Sequence, residues 1–351
     1  MDGDAVSQGP KDASLSGEGF RFYRWEPVDG GEPTDLLSVT SIRKLCGESY
    51  NLVNWQLANL ADAALGTMKR TVIGPRGGVS EKRIVFEYPC EFAQRYDATL
   101  GEQAKIDELR KWLREAADEP RNIAARRGTI VHGAIEKNVE WDRIERPYVE
   151  AAFADLSARD RASAKNGVQD EDVAFVRHAM RQYWDMRSQV PFVILAREPQ
   201  VFNLTAGYGG SADAFALFLP EGFDTKKLPP VREIDLAFVK KIGGQLALLD
   251  WKTAKDLHTD NLVQATAYMS AEFVGLAGVV DQRLTELLEA TMTGGLVHIR
   301  PNKWSVNLFD YHAELVQAFL GSVAFARFLA KYPKPDTLFT RQWTGESEEA
   351  E

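Results

Sequence analysis

The segment QLALLDWK, residues 245–252, constrains the fold of this chain more than any other. Its apolar run reads as a buried strand that closes on a carboxylate and an ammonium two positions apart. Side chains alternate along a strand, so Asp250 and Lys252 share one face, about 7 Å apart along the chain, while Trp251 points to the other. A surface ion pair in that place contributes only about 0–1 kcal/mol. What else reaches that face decides whether the pair is structural or chemical.

Three more segments in the same region read as strands: FVILAREPQVFN (192–203), GGSADAFALFL (209–219) and REIDLAFV (232–239). The last of these is expected to join 245–252 as a hairpin across Gly243-Gly244, and 294–309 reads as another strand pair. Helices are expected over 127–141, 170–188, 260–277 and 312–332. Helices interleaved with a strand-rich centre predict an α/β protein with a central mixed β-sheet flanked by helices. Around this core, 126–333, the pattern sets a disordered arm at 1–19, a mostly helical N-terminal lobe at 20–125 and an acidic tail at 334–351. Within the lobe, helices are expected from Ser38 or Thr40 to Gly47, at 51–65 and at 101–118, with a basic hairpin or long loop at 71–88. There is no internal repeat.

Composition removes several function classes. The 351 residues hold two cysteines, Cys46 and Cys90. Two are too few for a four-thiolate iron–sulfur cluster or a zinc ribbon, and both read as free thiols. No run of 18 apolar residues occurs and the first residues lack a secretory pattern, so the expectation is no membrane partner and a cytoplasmic location, the host cytoplasm if the chain is phage-encoded. The formal charge of −9 argues against a nucleic-acid binder only if charge is evenly spread. It is segregated: Glu346, Glu348, Glu349 and Glu351 crowd the end, while Lys69, Arg70, Arg76, Lys82 and Arg83 form one basic group and Arg121, Arg126 and Arg127 another.

Polar residues interrupt the apolar segments in a pattern. Glu198 breaks one strand candidate and Asp213 another, just after Gly209 and Gly210. A buried carboxylate needs a positive partner or a metal, and several meeting at one sheet edge repel unless a cation sits between them. His132 and Glu136 lie four apart on one helix face, where Glu136 could orient the imidazole or join it in binding a metal. Gln264 and Tyr268 repeat that spacing in the helix after the DWK strand.

Taken in order, G-x-x-x-H (Gly128 to His132), a strand glutamate (Glu198), a glycine-led aspartate (Asp213), D-x-K at a strand end (Asp250, Lys252) and Q-x-x-x-Y in the next helix (Gln264, Tyr268) resemble the RecB-like branch of the PD-(D/E)XK nuclease superfamily. The pattern is similar to the stand-alone phage and CRISPR-associated exonucleases of that branch, and SVTSI at 38–42 is similar to their N-terminal helix. The resemblance implies a restriction-endonuclease-like nuclease core and a Mg²⁺- or Mn²⁺-dependent DNA exonuclease with little sequence specificity, serving recombination, repair or phage DNA metabolism. Asp213, Asp250 and His132, with the carbonyl of Trp251, would hold the metal. Lys252 would orient the attacking water, and Glu198 would support Lys252 or the outer shell. Gln264 and Tyr268 would contact the strand, and Arg121, Arg126 and Arg127 would hold flanking phosphates. The implied partner is DNA, single-stranded or at duplex ends, with a recombination or replication protein as a further one.

Two departures from the family stand out. The iron–sulfur cysteines of several members are missing, and the separation of Asp213 from Asp250 is long, which makes Asp235 a rival ligand. No G-x-x-x-x-G-K-[ST] phosphate loop is present, so there is no ATP motor of that type. The competing readings are a catalytically silent DNA-binding accessory protein with the same fold, and a metallohydrolase with a closed pocket for small molecules.

Overall fold

The computed structural model describes residues 21–45, 67–73, 79–85, 95, 103–156 and 167–331. Strands β1 (Phe22–Trp25) and β2 (Thr34–Ser38) lead into helix α1 (Val39–Leu45), followed by the hairpin β3 (Thr67–Ile73) and β4 (Val79–Val85). Helices α2 (Gln103–Glu136), α3 (Arg146–Ala154) and α4 (Asp170–Gln189) come next. Then follow β5 (Phe192–Arg197), β6 (Gln200–Asn203), β7 (Tyr208–Ser211), β8 (Ala214–Phe218), helix α5 (Leu236–Ile242) and β9 (Gln245–Lys252). The described chain closes with α6 (Thr259–Met269), β10 (Phe273–Leu276), β11 (Val279–Val280), α7 (Gln282–Glu289), β12 (Thr293–Arg300), β13 (Lys303–Asp310) and α8 (Ala313–Lys331). Among the described residues no helix is long and apolar enough to cross a membrane.

The class is mixed α/β. One sheet has the order β13-β12-β9-β8-β5 and a second the order β1-β2-β7-β6-β10-β11, while β3 and β4 pair alone. Each of the larger sheets contains one parallel pair, β9 with β12 and β2 with β7, among antiparallel neighbours. Strand β9 is central, and its alternation sorts two cores. Ala247, Leu249 and Trp251 pack with α2, α3 and α4, whereas Leu246 and Leu248 pack with α1, α6, α8 and the inner side of the six-stranded sheet. Asp250 and Lys252 continue the second set, so they face α1 and α6.

Several expected boundaries move, each for a local reason. The strand expected over 192–203 is two strands in different sheets, because Glu198 adopts a left-handed conformation (φ 44°) and Pro199 has no N–H to donate. The segment 209–219 breaks likewise at Ala212 and Asp213. These four strands form one antiparallel hairpin, bent so that β5 and β8 lie in one sheet and β6 and β7 in the other. Across the bend the Glu198 N–H donates to the Asp213 carbonyl (3.1 Å) and the Ala212 N–H to that of Pro199 (3.2 Å).

Residues 232–239 are not a strand. A short 3-10 turn at Val231–Glu233 leads into α5, and Asp235 caps that helix by accepting the Phe238 N–H at 2.7 Å. The Gly243-Gly244 pair is therefore a helix exit and not a hairpin turn: Gly243 sits at φ 68°, the left-handed geometry that ends helices, and the Gly244 N–H reaches back to Val239. The helices expected at 101–118 and 127–141 are one, running through Pro120. The helix expected at 260–277 stops at Met269, and residues 273–276 pair with β6 as a strand.

The N-terminal region holds more strand than expected. Where a hairpin or long loop was expected at 71–88, residues 67–73 and 79–85 pair as a hairpin that begins four residues earlier, β1 and β2 belong to the six-stranded sheet through the Leu37–Tyr208 register, and the boundary near 125 falls inside α2. The helix expected at 51–65, both cysteines, the N-terminal arm and the acidic tail lie outside the described residues.

Leu217, with no exposed surface, sits in the core between the sheets. Leu217→Ala is expected to destabilise the chain by about 2–5 kcal/mol in urea unfolding, through lost transfer energy and the cavity left behind. A change under about 1 kcal/mol would mean that this cluster is not the stabilising core.

Candidate functional site

Four separated segments deliver polar side chains to the C-terminal end of β9. Ala214 pairs with Leu249, so Asp213, at the bend of the long hairpin, lies beside Asp250. Its Oδ2 accepts the Trp251 N–H at 2.6 Å, and its Oδ1 lies 3.4 Å from Nδ1 of His132 on α2. Gly128 is what lets α2 come this close, since a Cβ there would stand 2.9 Å from Thr253 Oγ1, one residue beyond β9. Gly210 serves the opposite side: a Cβ would meet the Tyr268 ring at 2.6 Å.

Asp250 is 3% exposed, and its Oδ2 is met by the Lys252 ammonium and by no other donor among the described residues. Lys252 Nζ also lies 3.4 Å from Gln264 Oε1. The Gln264 amide donates through Nε2 to the Tyr268 hydroxyl (2.7 Å), which leaves Oε1 to accept from cations. A second cation takes that oxygen: Arg43 Nη1 donates to it at 3.0 Å, with Arg43 Nε 3.6 Å from Asp260 Oδ2. Arg43 was absent from the residues selected in the sequence. The only signal for it was its place directly after the SVTSI segment, on the helix that packs against α6.

These groups shift one another's acidity. Burial raises Asp250 above the ordinary carboxylate range, with Lys252 opposing and Asp213 adding to the rise. For Asp213 burial acts upward too, but His132, Lys252 and the Trp251 N–H together hold it below its ordinary value. Burial lowers His132, and the adjoining Asp213 carboxylate more than offsets it, leaving the imidazole above its usual value. Burial raises Tyr268 strongly, with Asp250 adding to it, so its hydroxyl stays protonated.

Other expected members land differently. Glu136 does not orient His132, whose partner is Asp213; its charge acts on Glu198 instead. Glu198 joins the site through its backbone bond to Asp213 and not through Lys252, and its carboxyl is pushed up to about 7 by burial and by the charges of Glu136 and Asp213. Trp251 supplies its N–H to Asp213 and stacks its indole edge-on to Tyr183, with centroids 6.0 Å apart. Asp235, exposed and occupied as a helix cap, is no rival ligand. Arg127 is engaged with Asp172 at 2.6 Å and lies over the Phe175 ring, Arg126 is 8% exposed and directed at Phe153, and Arg121 stays exposed on α2.

Among the described residues no three His, Cys, Asp or Glu side chains form a metal-binding group. His132 faces Asp213 while Asp250 faces Lys252, so the expected three-way convergence resolves into two neighbouring pairs. The donor chemistry still suits a hard dication: two carboxylates, one imidazole, and a buried carboxylate oxygen with a single partner. No family model matches this chain, and no curated protein matches it in sequence.

The shifts set a sign for pH dependence. Between the ordinary glutamate value of 4.5 and about 7 the folded chain retains a proton on Glu198 that the unfolded chain has released, so stability falls as pH rises through that window. His132 acts in the same direction, its contribution being full below its ordinary 6.5 and lost as pH rises through its higher folded value. Asp213 acts oppositely, losing its contribution only as pH falls through its lowered value. Glu198→Gln is expected to remove about 1–3 kcal/mol of the stability loss between about pH 5 and 8 in chelator-treated protein, measured by denaturant unfolding. A variant curve parallel to wild type would show that Glu198 carries no raised acidity.

Proposed function

We propose that this chain is a metal-dependent DNA exonuclease with a PD-(D/E)XK-type core, hydrolysing phosphodiesters with little sequence preference. The observation that supports the reading is the polar chain at the end of β9. His132, Asp213, Asp250, Lys252, Gln264 and Tyr268, spread over more than a hundred residues of sequence, meet through successive contacts at one strand end. An unpaired Asp250 would be costly to bury, and a merely structural site would be as well served by apolar side chains.

Asp213, Asp250 and His132, with the Trp251 carbonyl, would hold Mg²⁺ or Mn²⁺. When bound, the ion acidifies water and neutralises charge on phosphoryl oxygens. Lys252 presents its ammonium beside the same carboxylates, where it stabilises negative charge developing on the phosphate. Gln264 limits the freedom of that ammonium, and Tyr268 fixes which end of the Gln264 amide faces it. Arg43, joined to the same amide oxygen, supplies a second positive charge for a neighbouring phosphate. Contacts of this kind position a backbone without reading bases.

End-labelled linear duplex and single-stranded DNA, compared with closed circles in Mg²⁺ or Mn²⁺, test the proposal. Linear substrate is expected to shorten progressively and circles to persist, with Lys252→Ala slowing the reaction about 100-fold or more. Binding without cleavage under both ions would leave the accessory reading, and a Lys252→Ala variant that cuts at the wild-type rate would remove the lysine from the chemistry.

A further inference from the structure

We propose that Trp141, Arg177, His178 and Arg181 form a landing site for single-stranded DNA, distinct from the polar chain at β9. The four residues line a surface cleft of about 230 Å³. Trp141 sits in the 3-10 turn Trp141–Arg143 just beyond α2, with 37% of its surface exposed. Arg177 and Arg181, one turn apart on α4, lie over the indole in cation–π contact, their guanidinium carbons 5.9 and 5.7 Å from its centre.

An exposed tryptophan by itself is ordinary. Its neighbours are not. Like charges four apart on a helix repel, and the usual remedy is a carboxylate within reach. Other arginines of this chain do have carboxylate partners: Arg146 pairs with Glu150 and Asp170, Arg127 with Asp172 and Arg24 with Glu26. Arg177 and Arg181 have no ion-pair partner among the described residues, although Glu140 and Asp142 flank Trp141 in sequence. Burial and the two arginines lower the pKa of His178, which keeps its imidazole neutral and able to donate and accept.

A half-exposed aromatic ring beneath two guanidinium groups that have no carboxylate partner among the described residues matches one chemistry. A base stacks on the ring, and successive phosphates meet the two arginines. An acidic peptide would use the charges and leave the indole idle. Duplex DNA keeps its base faces covered, and a mononucleotide brings no second phosphodiester. The site does not depend on the nuclease reading. If that reading holds, α2 carries both His132 and, beyond its end, the turn that holds a strand at Trp141.

The test is fluorescence anisotropy of a labelled single-stranded oligonucleotide with the full chain in chelator, so that cutting plays no part. Trp141→Ala is expected to weaken binding about tenfold, with Trp141→Phe recovering most of it. The Arg177→Gln/Arg181→Gln double variant is expected to flatten the dependence of log affinity on log salt by about 1.4, from about 0.7 per phosphate contact on a single strand. Both arginines are exposed, so this variant tests the site even if Trp141→Ala fails to fold, with circular dichroism as the check. Unchanged affinity and salt slope in folded variants would overturn the proposal. So would an equal loss of affinity for duplex or for a mononucleotide, or displacement of the strand by oligoglutamate as readily as by unlabelled DNA. Cleavage in Mg²⁺ is scored separately: binding that responds as expected in a chain that does not cut refutes the nuclease reading alone.

Discussion

The bend in the β5–β8 hairpin is the constraint on which the remaining structure depends. A straight hairpin would have lengthened one sheet. Bent at Glu198–Pro199 and Ala212–Asp213, it contributes to two sheets, closes an apolar core between them and leaves Asp213 at the corner. From that corner Asp213 reaches the backbone of the neighbouring strand and the imidazole of α2 together. A residue within either strand would face one core or the other and could not do both.

Charge compensation at this corner follows a simple economy. Each carboxylate has taken one basic neighbour, Asp213 the His132 imidazole and Asp250 the Lys252 ammonium, and the two pairs are close enough to influence each other's protonation. Asp213, which gains a backbone donor as well, is the better stabilised anion. Asp250, whose Oδ2 meets only the Lys252 ammonium among the described residues, is the carboxylate with room for a further positive partner. The lysine in turn is held from its far side by an amide that a tyrosine has oriented and an arginine shares. Such a network is costly when half satisfied, which is why its members lie in contact and not scattered along the surface.

Much of the site was legible before the fold. Alternation along QLALLDWK placed Asp250 and Lys252 together, and helical spacing placed Gln264 with Tyr268; both hold in the structure. Glu198 and Asp213 were read as interruptions of strands. They are the points where strands end and change sheet, a distinction that periodicity cannot draw because both produce a polar residue between apolar runs. Asp235 shows the same limit. In isolation REIDLAFV alternates like a strand, yet a proline-led turn before it and a left-handed glycine after it favour one short helix.

The amino-acid order by itself determined which residues share a face of one element and where buried strands lie, because those follow from the repeat of a strand or a helix. Only the tertiary structure decided the partners: His132 with Asp213 instead of Glu136, Arg127 with Asp172, Arg43 on the Gln264 amide, and Arg177 and Arg181 over the ring of Trp141. The reason is physical. A side chain's nearest opposite charge depends on how elements distant in sequence pack, and no local repeat carries that information.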